Sequence, residues 1–115
     1  MMIAIYDTTA NRALAHRAHS ATSAWARFRG LMLRRGLAQG EALDIRPCPS
    51  IHMMFMLFSI DAVFYDDSLV VTKVARRVPP WIGIAFGGKG ARGVVELPAG
   101  AADGVAPGDQ LKFVA

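Results

Sequence analysis

Glycine and proline crowd into residues 30–49 and 79–108, and there they cap the length of any regular element between them. All eleven glycines and six prolines fall in those two stretches. The segments between them fit strands, which average roughly 5–6 residues. Ile3 to Tyr6 reads as a short strand, Asp7 to Asn11 as a turn, and Ala13 to Ala18 as the return strand of a hairpin. Ile60 to Tyr65 and Leu69 to Val74 form a second hairpin pattern across Asp66-Asp67-Ser68. Leu43 to Ile45, Val94 to Leu97 and Leu111 to Val114 complete the strand list, with a single helical turn expected over Ala101 to Val105.

Two segments carry stronger expectations. Ser20 or Thr22 is a natural N-cap, Ala21, Trp25, Phe28 and Met32 then recur at helical spacing, and Gly30 is a natural place to stop. The pattern predicts one helix with Trp25 and Phe28 buried and Arg27 and Arg29 exposed. Ser50 to Phe58 is apolar at odd and even positions alike, apart from Ser50 and His52. That predicts an interior strand covered on both faces. The expected fold is mainly β: a β-sandwich or open barrel of about six to eight short strands with one helix packed on it.

Residues 1–115 read as one domain. Apolar residues make up 53% and charged residues 19%, which excludes a disordered chain. Cys48 stands alone, so no internal disulfide is available. The opening Met1-Met2-Ile3-Ala4-Ile5-Tyr6-Asp7 has no basic flank and predicts no signal peptide. The longest apolar run, Ile51 to Ile60, falls short of the roughly 18 residues a membrane helix needs. The expectation is a cytoplasmic protein with no membrane partner.

Three segments bear a family likeness. Gly30-Leu31-Met32-Leu33-Arg34 resembles the Gly-Leu-Met-Phe-Arg signature of a small bacterial and archaeal family, domain of unknown function 192. Ile51-His52-Met53-Met54-Phe55-Met56 is similar to the next signature of one branch, where such a strand leads into Pro-Ile-Asp; Ser59-Ile60-Asp61 stands here. Val95-Glu96-Leu97-Pro98-Ala99-Gly100, followed by Gly108-Asp109, is similar to the C-terminal signature. The resemblance implies a compact β-rich fold, often exported, without an established activity. Ser59 departs from the usual proline, and Leu57 stands where that branch often has a basic residue.

Few residues are arranged for chemistry. Gly83-Ile84-Ala85-Phe86-Gly87-Gly88-Lys89 matches seven positions of a P-loop, but Gly90 replaces the Ser or Thr that would ligate magnesium. His16 with His19, and Cys48 with His52, are pairs without a third ligand at a usual spacing, so neither a metal nor a cofactor is expected. Cys48 between two prolines reads as a packed thiol rather than a nucleophile. More telling are His52, Asp61, Arg34 and Glu96, polar groups set in apolar strands. Each needs a partner if buried, and Arg34 with Asp61 or Glu96 is the pairing the charges suggest. With Met54 and Met56 they outline a candidate ligand pocket.

Thirteen Lys and Arg against nine Asp and Glu give a net charge of +4. Arg27, Arg29, Arg35, Arg76, Arg77, Lys89 and Arg92, with Arg34, are the candidate phosphate contacts. The leading expectation is a non-enzymatic module that binds a small molecule or peptide. An accessory nucleic-acid binder comes second. An enzyme comes third, because no set of nucleophile, base and orienting group emerges.

Overall fold

The computed structural model describes residues 2–21 and 34–115. Nine strands run through them: β1 (Met2–Asp7), β2 (Arg12–Ala21), β3 (Glu41–Ile45), β4 (Ser50–His52), β5 (Ile60–Tyr65), β6 (Val71–Val78), β7 (Ile84–Phe86), β8 (Gly93–Pro98) and β9 (Leu111–Val114). Seven of them make one sheet in the order β6-β5-β8-β3-β2-β1-β9, while β4 and β7 pair separately. Within the large sheet only β2 and β3 run parallel.

The sheet curls until its two edges meet. Val70 bridges Gln110, Val71 N–H donates to the Asp109 carbonyl (2.9 Å), and Leu111 N–H donates to the Leu69 carbonyl (2.8 Å). The result is an open barrel. Its inner face collects Ile5, Leu14, Val63, Tyr65, Val95, Leu97 and Leu111, with Ala102 and Val105 from the segment after β8. The outer face of β3, β5 and β8 carries a second core of Ile45, Ile60, Ala62, Phe64 and Val94, roofed by Ile51, Met53, Met56 and Ala85.

Both predicted hairpins form. β1 and β2 join across residues 8–11, and β5 and β6 across residues 66–70. In the second, Asp66 Oδ1 accepts the N–H groups of Ser68 and Val70, which closes the turn that the Asp-Asp-Ser sequence suggests. The segment Ala101 to Val105 is a series of turns, with Val105 N–H donating to the Ala102 carbonyl.

The interior strand is not Ser50 to Phe58. Only Ser50–His52 is extended, and its sheet has two strands. The chain reverses at Met53, whose carbonyl accepts N–H groups from both Met56 (3.0 Å) and Trp81 (2.7 Å). The strands buried along their whole length are β5 and β8. The glycine-rich stretch Gly83 to Gly93 holds a further short strand, β7. Glycine is needed at Gly87, where a Cβ would sit 2.6 Å from the Phe64 ring. The expected helix is not supported by the described residues: Ala21, the first of its apolar stripe, ends β2, and Thr22 to Leu33 lie outside them. Among the described residues no helix is long and apolar enough to cross a membrane.

Candidate functional site

The site begins with the alternation of the β4–β7 ribbon. Ser50 faces Phe86, Ile51 faces Ala85, and His52 faces Ile84. Ile51 and Ala85 turn inward and are buried. His52, Ile84 and Phe86 therefore share the outer face, and all three are exposed. Met53 and Met56 are buried in the roof of the outer core, which pushes Met54, Phe55 and Leu57 into solvent.

The connection between β6 and β7 completes the surface. Trp81 and Ile82 project from it, 51% and 85% exposed. The Phe55 and Trp81 rings meet edge to face with centroids 5.4 Å apart. Both residues hold positive φ, 66° for Phe55 and 67° for Trp81. A bulky side chain in that region costs roughly 1–3 kcal/mol and persists only where the surroundings impose it. Here the Met53 hydrogen bonds impose it. Gly83 pins the base, because a Cβ there would lie 2.4 Å from the Pro79 carbonyl oxygen.

The candidate ligand residues do not come together in one place. His52 and Met54 belong to the exposed face; Met56 lies buried beneath it. Asp61 is fully buried in β5, where Oδ1 accepts Arg77 N–H (2.8 Å) and Oδ2 accepts the N–H groups of Gly100 and Ala102 (2.9 Å each). It ties the segment after β8 across the barrel end. Glu96 is buried in β8 opposite Leu43 and Ala62. Arg34 is exposed and pairs with neither acid, so the partners anticipated for Asp61 and Glu96 are replaced by backbone amides in one case and by no described group in the other.

The basic residues are dispersed. Arg77 forms an ion pair with Asp103 (3.2 Å), to which Arg76 also turns, and Arg92 pairs with Asp67 (2.7 Å). Arg35 and Lys89 are exposed, and Arg27 and Arg29 lie outside the described residues. The Cys48 thiol donates to the Ser50 carbonyl (3.0 Å). A cleft of about 340 Å³ holds Arg12, His16, Gln39 and Gly40, with Arg12 already donating to the carbonyls of Ala101 and Asp103.

Burial dominates the electrostatics. Asp44 accepts a hydrogen bond from the Tyr65 hydroxyl and an ion pair from Arg46 (3.0 Å), yet desolvation still holds its carboxyl above the usual range. Tyr65 is pushed strongly upward, first by burial and then by the Asp44 charge. Asp7 is raised by burial and then by the Asp109 carboxyl beside it. Glu96 is pushed up to about 7 by burial alone.

The apolar members Trp81, Ile82, Ile84 and Phe86 were not anticipated as site residues. Their one sequence signal is a run of large apolar residues, Trp81-Ile82-Gly83-Ile84, directly after two prolines, where a loop is otherwise polar.

An open β-barrel with an apolar ribbon laid over one face is the class of protein these features define. The chain belongs to the family domain of unknown function 192 (DUF192), uncharacterized ACR, whose model matches residues 5–113. It is 40% identical over 81 residues to a UPF0127 protein of Thermococcus sibiricus (strain DSM 12597 / MM 739), an alignment covering 67% of this chain. The aligned region is 51% of that relative's length, so the chain spans about half of it. The fold is shared with a protein of unknown function from Novosphingobium aromaticivorans DSM 12444, at a TM-score of 0.84 and 20% identity, covering 97% of this chain and 84% of that one. It is shared as well with a candidate transcription regulator from Sinorhizobium meliloti 1021, at a TM-score of 0.80 and 21% identity, covering 96% and 91%.

Proposed function

We propose that this domain is a non-enzymatic binding module whose ligand is an extended peptide segment bearing apolar side chains, held on the β4–β7 face. The observation that carries the reading is the Phe55–Trp81 pair: two exposed rings, each kept at a costly positive φ, in contact with one another. Strain spent on displaying apolar rings to water contributes nothing to stability, and such strain concentrates at binding sites. The flanking Met54, Leu57, Ile82, Ile84 and Phe86 extend the rings into one apolar surface, and such surfaces mark interaction sites. Among the described residues β4 has a strand neighbour on one side only. A peptide strand laid along its other edge would find main-chain partners as well as the rings. Cys48, the single cysteine, makes no demand on an oxidising compartment and fits a cytoplasmic setting.

Glycine substitutions test the reading. Phe55→Gly and Trp81→Gly remove the rings and relieve the φ strain together. Fluorescence anisotropy with labelled peptides of alternating apolar and polar residues is expected to show binding by the wild type and its loss in both variants. Equal binding by wild type and variants sinks the reading; a response to small apolar molecules instead of peptides would move the ligand class.

The same rings favour one second reading, single-stranded nucleic acid, because bases stack on exposed aromatics and the net charge is +4. Phosphate contact requires affinity that falls steeply with salt. A flat salt dependence in filter binding removes it.

A further inference from the structure

The barrel contains five buried carboxyl groups, and the fold treats one of them differently. Asp61 receives three backbone N–H groups. Asp44 receives the Tyr65 hydroxyl and Arg46. Asp7 Oδ1 accepts Ala10 N–H (3.0 Å) while its Oδ2 is buried without a partner, and Asp109 Oδ2 accepts Ala106 N–H (3.1 Å). Glu96 receives nothing from the described residues, and its Oε1 is sealed from solvent without a partner. Among the described residues its neighbours on that face are apolar: Leu43 and Ala62 flank it in register, with Ile45, Ile60 and Val94 in the same core. A lone carboxyl in such surroundings costs several kcal/mol on any scale, and a core position facing Leu43 and Ala62 is filled at no such cost by leucine or methionine.

We propose that Glu96 is the anchor of a second binding site, one that takes the primary ammonium group of a slender aliphatic amine. Oε1 needs a hydrogen-bond donor, and only a donor carrying positive charge also repays the ionised carboxylate for its lost water. As a residue Glu96 is 5% exposed but its Oε1 is sealed, so an amine reaches the carboxyl only as the side chains over it part, and only a narrow one passes. An ammonium on an alkyl stem matches both demands: the head donates to the carboxylate while the stem lies among Leu43, Ala62 and the other apolar side chains. The amine is either a free metabolite or the side chain of a peptide lysine, and the chemistry at Glu96 is the same for both. The inference does not depend on the aromatic face.

The experiment uses n-butylammonium as probe, n-butanol as control and Nα-acetyl-lysine N-methylamide as the peptide-borne amine. All samples are in amine-free buffer. The Glu96 carboxyl carbon is followed by NMR, assigned by its absence in Glu96→Gln, together with the melting temperature. Butylammonium is expected to move the Glu96 resonance and raise the melting temperature of the wild type while butanol does neither. Glu96→Gln should bind the ammonium at least about tenfold more weakly, the loss of one charged hydrogen bond. Phe55→Gly should respond as the wild type does, which separates this site from the aromatic face. The response to the lysine derivative tells a peptide source from a free amine. A resonance unmoved by butylammonium, or an equal response to butanol, overturns the proposal. Should Glu96→Gln fail to fold, the resonance is assigned through bonds from the Glu96 backbone amide of the wild type, and its response still decides.

Discussion

Phe55 and Trp81 show how a side chain can be placed against its own conformational preference. For an aromatic residue, positive φ is a steric penalty that glycine escapes. Replacing Phe55 by glycine therefore relieves strain, and what is lost is a half-exposed ring and one edge-to-face contact worth roughly 0.5–1.5 kcal/mol. The two effects are of similar size. Phe55→Gly should melt within a few degrees of the wild type in a thermal scan, whereas a buried phenylalanine loses about 3–5 kcal/mol on truncation to alanine. A large loss of stability in Phe55→Gly would assign the ring to packing, and the peptide face would lose its main support. The sequence announces neither residue's φ. It is the double use of the Met53 carbonyl, by Trp81 and by Met56, that forces both reversals, and such a contact between distant segments leaves no local pattern.

At the level of strands, the legible parts were those with local chemistry. The hairpins β1–β2 and β5–β6 are written in their turn residues, and β8 in its paired valines between Gly93 and Pro98. The central placement of β5 and β8 was not legible, for an identifiable reason. β5 and β8 are buried throughout, yet each carries a carboxylate, Asp61 and Glu96, at a position where a hydropathy reading expects hydrocarbon. Ser50 to Phe58 has the better apolar record and the less central place, because Met54, Phe55 and Leu57 were spent on the surface. Of the candidate site, His52 and Met54 were found from sequence; the aromatic half comes from a loop some thirty residues away and could not be. Amide hydrogen exchange separates the two arrangements. The N–H groups of β5 and β8 should exchange only on near-global opening, and those of residues 54–57 should exchange far sooner. Slow exchange across residues 51–57, matching β5, would restore the interior-strand reading.

For the whole molecule, the buried carboxyls set an unusual response to pH. Asp7, Asp44 and Glu96 are all raised, with desolvation the first cause in each. A raised carboxyl keeps its proton in the folded state after the unfolded chain has released it. Between the two values the folded protein binds more protons, so stability falls as pH rises. This is the reverse of the familiar acid denaturation, in which paired carboxylates are protonated. For Glu96 the window runs from its ordinary 4.5 to about 7. Across it the folded state should lose roughly 3 kcal/mol, from 1.36 kcal/mol per pH unit. For a domain of this size that is on the order of 10 °C in melting temperature. Below the window the contribution is fully present, and above it the loss is complete. Other groups titrate over the same range, so the difference between wild type and Glu96→Gln is the quantity to measure. The amide is also buried without a partner, which shifts the variant's curve by a constant but gives it no proton to lose. Melting temperatures in amine-free buffer from pH 4 to pH 8 should therefore show a wild-type decline that Glu96→Gln flattens. Parallel curves would mean that Glu96 has found a partner in solution, and its place as an unfilled anchor would be lost. Adding butylammonium should flatten the wild-type curve in the same way, because a bound cation removes the reason for the carboxyl to hold its proton.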